Sequence, residues 1–201
     1  IVIHGGGHYA GPSTIFGGAG SSGQYRMLMP MNGRIALLAA RSSNSSVPET
    51  FHDWDVISPA FYPTSSGPAE FFPLPRVAAG GGTGGPVEPT HVISGIAAPP
   101  PYRGGTAWYA LGRFNVSDPT NPPLGNATPP APLDASDVLI FAQLHQEPEL
   151  GGRMLFVGWF NVGAGCLTAP REVEYEPRAN RLVSRPVAEL RALRGAVVRV
   201  T

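Results

Sequence analysis

The chain contains no lysine; all 14 of its basic residues are arginine, balanced by 14 acidic ones. A formal net charge of +0 removes the electrostatic case for nucleic acid or an anionic membrane as partner. Charged residues make up only 14% of the chain. One cysteine, Cys166, excludes an internal disulfide. It reads as a buried free thiol, since cysteine packs as a small hydrophobe. No apolar run approaches the length of a membrane span, and no signal peptide is visible. Long amphipathic patterns are also missing. With 26 Gly and 23 Pro among 201 residues, long helices are disfavoured. An apolar content of 42% nevertheless argues against wholesale disorder.

What is present is a series of short apolar runs separated by turn residues, the pattern of an all-β sandwich, barrel or propeller. Strands are expected at Ser13–Phe16, Tyr25–Pro30, Ile35–Ala40, Phe71–Pro75, His91–Ile96, Ala107–Phe114, Val138–Gln143, Met154–Phe160, Glu172–Glu176 and Arg181–Ser184. Met31-Asn32-Gly33 should turn one hairpin and Asn180 another, because Asn and Gly tolerate positive φ. Only Val187 to Leu193 has helical character, with Val187, Leu190 and Leu193 three apart, Pro186 in the first turn and Gly195 at the end. The Gly80-Gly81-Gly82-Thr83-Gly84-Gly85 stretch has no following Lys and opens no helix, so it reads as an insertion rather than a phosphate loop.

Several blocks then repeat the order of a known family. From the C-terminal side they are Gly158-Trp159-Phe160-Asn161, Pro170-Arg171-Glu172-Val173, Arg181-Leu182-Val183, and Pro186-Val187-Ala188-Glu189-Leu190-Arg191-Ala192-Leu193-Arg194. Upstream lie Trp108-Tyr109-Ala110-Leu111-Gly112-Arg113-Phe114-Asn115, His91-Val92-Ile93-Ser94, Ala69-Glu70-Phe71-Phe72-Pro73-Leu74, Phe51-His52-Asp53-Trp54-Asp55, and Tyr9-Ala10-Gly11-Pro12. Together they resemble the catalytic propeller of glycoside hydrolase family thirty-two, the invertases and other β-fructosidases. The resemblance implies a five-bladed β-propeller of the glycosidase type, present as roughly four blades with the N-terminal one missing. Residues 1–186 would be propeller, and 187–201 would lead out of it toward a C-terminal β-sandwich. On this reading the chain is a piece of something longer, and its partners are the remainder of the parent chain and a fructoside-like carbohydrate. No cofactor is implied.

The resemblance also fixes where carboxylates belong. Retaining glycosidases need two carboxyl groups about 5 Å apart, one nucleophile and one acid/base. The family's nucleophile block is absent. Its transition-state aspartate falls on Gly11, and its acid/base glutamate falls on Gly67. Glycine cannot donate a proton. Glu70, three residues further on, is the remaining candidate acid. An odd offset along a strand turns it to the other face, so a rim carboxylate paired with Arg76 is the plainer reading. Tyr9, Asp134 and Trp108 are candidate sugar contacts. Trp108, Trp159 and Trp54 also read as core, and Asp134 with Asp137 as turn caps. Arg171 reads as a structural ion-pair partner.

His4, His8, His52, His91 and His145 show no metal-site spacing and read as loop or internally satisfied histidines. Sequons at Asn44, Asn115 and Asn126 fit a secreted or lumenal location and glycosylation. Three functions follow: a carbohydrate-binding pseudoenzyme of this family, an active β-fructosidase with its nucleophile upstream, and a structural or adhesive surface module.

Overall fold

The computed structural model describes residues 2–4, 15–17, 25–41, 53–63, 69–74, 89–95, 107–115, 123–133, 139–147, 152–160 and 165–195. Among them every regular element is a strand except one 3₁₀ segment. The first sheet holds β1 (Val2–His4), β2 (Ile15–Gly17), β3 (Tyr25–Met31), β4 (Arg34–Ala40) and β5 (Asp53–Tyr62). The second holds β6 (Ala69–Pro73), β7 (His91–Gly95), β8 (Trp108–Gly112) and β9 (Ala131–Pro132). The third holds β10 (Leu139–Glu147), β11 (Arg153–Phe160), β12 (Cys166–Leu167), β13 (Arg171–Glu176) and β14 (Arg181–Pro186).

Each sheet is an antiparallel meander of near neighbours: β2-β3-β4-β5, β6-β7-β8-β9 and β10-β11-β13-β14. β12 pairs with the far end of β11, and β1 joins β5 in parallel. Three such sheets are seen among the described residues, where the chain length suggests room for roughly four blades.

The turns form for the reasons their residues dictate. Asn32 (φ 52) and Gly33 (φ 74) both lie in the left-handed region, which matches the twist of a two-residue hairpin between β3 and β4. Asn180 (φ 46) does the same after Glu176. One ten-residue strand has no counterpart in the expected set: β5 contains Asp53, Asp55, Ser58 and Pro59, none of them a strand former. It survives because its register against β4 shifts twice, between Ile35/Leu37 and Leu37/Leu38, which leaves Pro59 exposed. The expected helix is a 3₁₀ segment, Ala188–Leu193. Three-residue spacing is the 3₁₀ period, so Val187, Leu190 and Leu193 do fall in one row. Val187 is buried there, whereas Leu193 is 80% exposed.

The second sheet is the middle layer. One of its faces presents Ala69, Phe71, Ile93, Trp108 and Ala110 to Leu28, Leu37, Phe61 and Tyr62 of the first sheet. Its other face presents Phe72, Val92, Tyr109 and Leu111 to Leu144, Met154, Phe156, Val173 and Leu182 of the third. That is why β7 and β8 are buried along their whole length instead of alternating. The aromatic centre of the first seam is tight: Phe71 meets Phe16, Phe61 and Phe114 at centroid distances of 5.1, 5.5 and 5.4 Å. Buried Arg26 lays its guanidinium over the Phe114 ring at 5.9 Å.

Candidate functional site

In each sheet the first strand of the meander, β2, β6 or β10, lies at an edge. β6 and β10 run side by side in the same sense. Glu70 meets Leu144, and three residues on, Pro73 accepts from the Gln146 side-chain amide at 3.1 Å. Tyr9, Gly11, Gly67 and Asp134 precede these three strands in sequence and lie outside the described residues, as does Arg76. Of the candidate catalytic and sugar-contact positions, Glu70 and Trp108 are the ones whose geometry can be given.

Glu70 is the second residue of β6. Alternation places it on the Phe72 face, in one cross-strand row with Ser94 and Tyr109. Its Oε2 accepts the Leu144 backbone N–H at 2.5 Å and stands 3.5 Å from the Ser94 hydroxyl. Burial drives its pKa up to about 7, against the opposing pull of those two donors. The carboxyl therefore sits half-buried in the seam between the second and third sheets, bonded to an edge-strand amide.

Trp108 is fully buried. It stacks on Tyr62 at 5.4 Å with planes 17° apart, and its other surroundings leave no ring face open to a sugar. The contact role is thus replaced by a core role, which Trp54 shares at 0% exposure. Trp159 departs from the core reading at 38% exposed. Its indole edge rests on Gly165, whose φ of +82 and missing Cβ make that approach possible.

The buried-thiol reading of Cys166 is also corrected. The thiol is exposed, because β12 is only two residues long and its neighbour Leu167 is 70% exposed too. Arg171 lies with its guanidinium 5.9 Å over the Phe156 ring, a structural placement. Asn115 and Asn126 are exposed, Asn126 in a left-handed turn (φ 48); Asn44 lies outside the described residues.

No group of acidic, histidine or cysteine side chains among the described residues could hold a metal ion. His145 is exposed, and His8 and His52 lie outside the described residues. His91 is internally satisfied: its Nδ1 is 2.8 Å from the Thr90 hydroxyl and its ring stacks on Phe71 at 4.9 Å. Burial lowers its pKa to about 4. A folded pKa below the ordinary 6.5 contributes stability above that value, lost as pH falls toward 4. His91→Phe should therefore remove an acid-side loss of about 2 kcal/mol between about pH 7 and pH 4.5. Urea unfolding of both proteins at the two pH values checks this.

Some polar contacts leave no trace in the sequence, because they cross between sheets. The Tyr109 hydroxyl accepts the Leu182 N–H at 3.1 Å, and Tyr62 donates to the Thr128 carbonyl at 3.3 Å. Within the third sheet, Arg153 bonds its cross-strand partner Glu147 of β10 at 2.8 Å and also reaches Glu189 of the 3₁₀ segment at 2.7 Å.

No protein-family model matches the sequence, and no curated protein matches it at a significant level. Solved structures do. Fructan 1-exohydrolase IIa from Cichorium intybus, in a substituted form in complex with 1-kestose, superposes with a TM-score of 0.63 at 16% identity over 98% of this chain. A second structure of fructan 1-exohydrolase IIa from Cichorium intybus gives 0.57 at 17% identity over 92%. The chain spans 39% and 36% of those two proteins. Its three stacked meanders thus have the fold of the fructan-hydrolase type that the sequence resemblance implies.

Proposed function

We propose that this chain is the larger part of a β-propeller of the glycoside hydrolase family thirty-two type, which binds a fructoside-type carbohydrate and is catalytically impaired. The three sheets are then blades, with β2, β6 and β10 as their axial strands and the segment from residue 187 leading outward. The observation that carries the sugar class is the likeness to a fructan 1-exohydrolase whose complex holds 1-kestose. Loss of catalysis rests on Gly11 and Gly67 at the family's acidic positions, and on Glu70 being taken up by Leu144. A binding domain of this kind fits a secreted or lumenal location, and exposed Asn115 and Asn126 fit glycosylation there.

One observation favours an active β-fructosidase as second reading: Glu70 is held near neutrality, where a general acid works best. Calorimetric titration with 1-kestose and sucrose, alongside an assay for released fructose, separates the readings. Binding without release is expected. Release that Glu70→Gln abolishes establishes the second reading. Absence of both leaves the structural-module alternative.

A further inference from the structure

Glu70 lies between two sheets whose apposed faces are otherwise almost wholly apolar. Around it stand Phe72, Val92, Tyr109 and Leu144 of the same hydrophobic cluster. Both donors that reach it, the Leu144 N–H and the Ser94 hydroxyl, converge on Oε2. Among the described residues Oε1 takes no hydrogen bond, so a proton can reside there without losing either contact.

Among the described residues no positive group balances the carboxylate. From the second sheet its row contributes only Ser94 and the Tyr109 phenol, whose oxygen is engaged by Leu182 N. From β10, residues 139 to 144 are all uncharged types; His145 is exposed, and Glu147 is paired with Arg153. From the first sheet, Arg26 lies over Phe114; within the second sheet, His91 of β7 stacks on Phe71 on the opposite face of β6. Among the described residues an ionised Glu70 is a half-buried charge without a counter-charge, and the two donors only partly offset its lost hydration.

The contact also has a mechanical position. Leu144 N belongs to β10, at the edge of its sheet, so Glu70 caps an N–H that no strand satisfies among the described residues. With the Gln146 to Pro73 bond it makes the two polar ties given above between β6 and β10.

We propose that Glu70 is a protonation-controlled latch between the second and third sheets: neutral, it holds the β6–β10 seam closed; ionised, it loosens the seam. The sign follows from the raised pKa. A folded value of about 7 against an ordinary 4.5 gives stability that is full below 4.5 and is lost as pH rises through 7. Glu70's own contribution thus holds the β6–β10 seam tightest in mildly acidic surroundings and slackens it as pH rises through 7, independently of any sugar.

Glu70→Gln tests it, because the amide oxygen still accepts Leu144 N–H but cannot ionise. The folded-to-unfolded ratio of Glu70→Gln relative to the parent should rise about 30-fold from about pH 5.5 to pH 8.5. Taking the ratio between the two proteins cancels His91, which both retain. Native-state hydrogen exchange adds locality: protection of the Leu144 amide in the parent, corrected for intrinsic exchange, should drop about 10-fold or more over that interval. A pH-independent ratio, or unchanged Leu144 protection, overturns the latch. If Glu70→Gln does not fold, the isotope-edited infrared carboxyl band of the parent decides. Titration near neutrality supports the latch; titration in the ordinary carboxylate range overturns it.

Discussion

Trp108→Ala should lower the unfolding free energy by about 3–5 kcal/mol and the melting temperature by roughly 10 °C. The indole is 0% exposed and spans the first seam, stacked on Tyr62 from one side and resting against Gly95 of its own sheet on the other. No neighbour can collapse into the gap easily. Tyr62 is held by its bond to Thr128, and a Cβ on Gly95 would stand 2.9 Å from the ring that the substitution removes. Truncation therefore costs both the transfer of a large aromatic and the cavity behind it. The comparison that gives this meaning is Trp159→Ala. Trp159 is 38% exposed, so it should lose about 1 kcal/mol or less. Denaturant curves of both variants check the contrast, and similar losses would remove Trp108 from the centre of the core.

The second large effect is opposite to what strand propensity suggests. Valine is a good strand former and glycine a poor one, so Gly112→Val in β8 looks stabilising on the sequence. The packing reverses it. A Cβ at Gly112 would come within 2.8 and 2.9 Å of the two methyls of Leu124, and closer still to its branch carbon. Leu124 is itself 5% exposed and fixed by its N–H to the Phe61 carbonyl at 3.2 Å and by the adjoining Arg113–Gly125 bridge. Overpacking at such a site costs about 1–3 kcal/mol. Combining Gly112→Val with Leu124→Ala should recover part of that loss. The coupling energy of the double-mutant cycle reads the steric conflict directly, and strict additivity would refute it.

Residues with local signals were legible in advance. Asn32-Gly33 and Asn180 mark their hairpins because those residue types tolerate positive φ at little cost. The runs around Leu28, Leu37, Ile93, Ala110 and Phe156 mark strands because nothing else in a glycine- and proline-rich chain accommodates them. β5 was hidden because its strand character depends on β4 and on two register shifts that no local pattern encodes. β9 and β12 are two-residue ladders set by their partners. Cys166 and Trp159 illustrate the same limit. Their exposure is decided by how far β12 extends along β11, not by their hydrophobicity. For Glu70 no local pattern points to the amide of Leu144, 74 positions away, because that contact exists only where the second and third sheets meet.

Because its two faces are each covered by another sheet, the second meander has no side from which water can peel it. Pulled from its ends in an optical trap, the chain should yield in stages. The third sheet, whose far strands β13 and β14 are mostly half-buried or exposed, would shear away at lower force than β6 to β9.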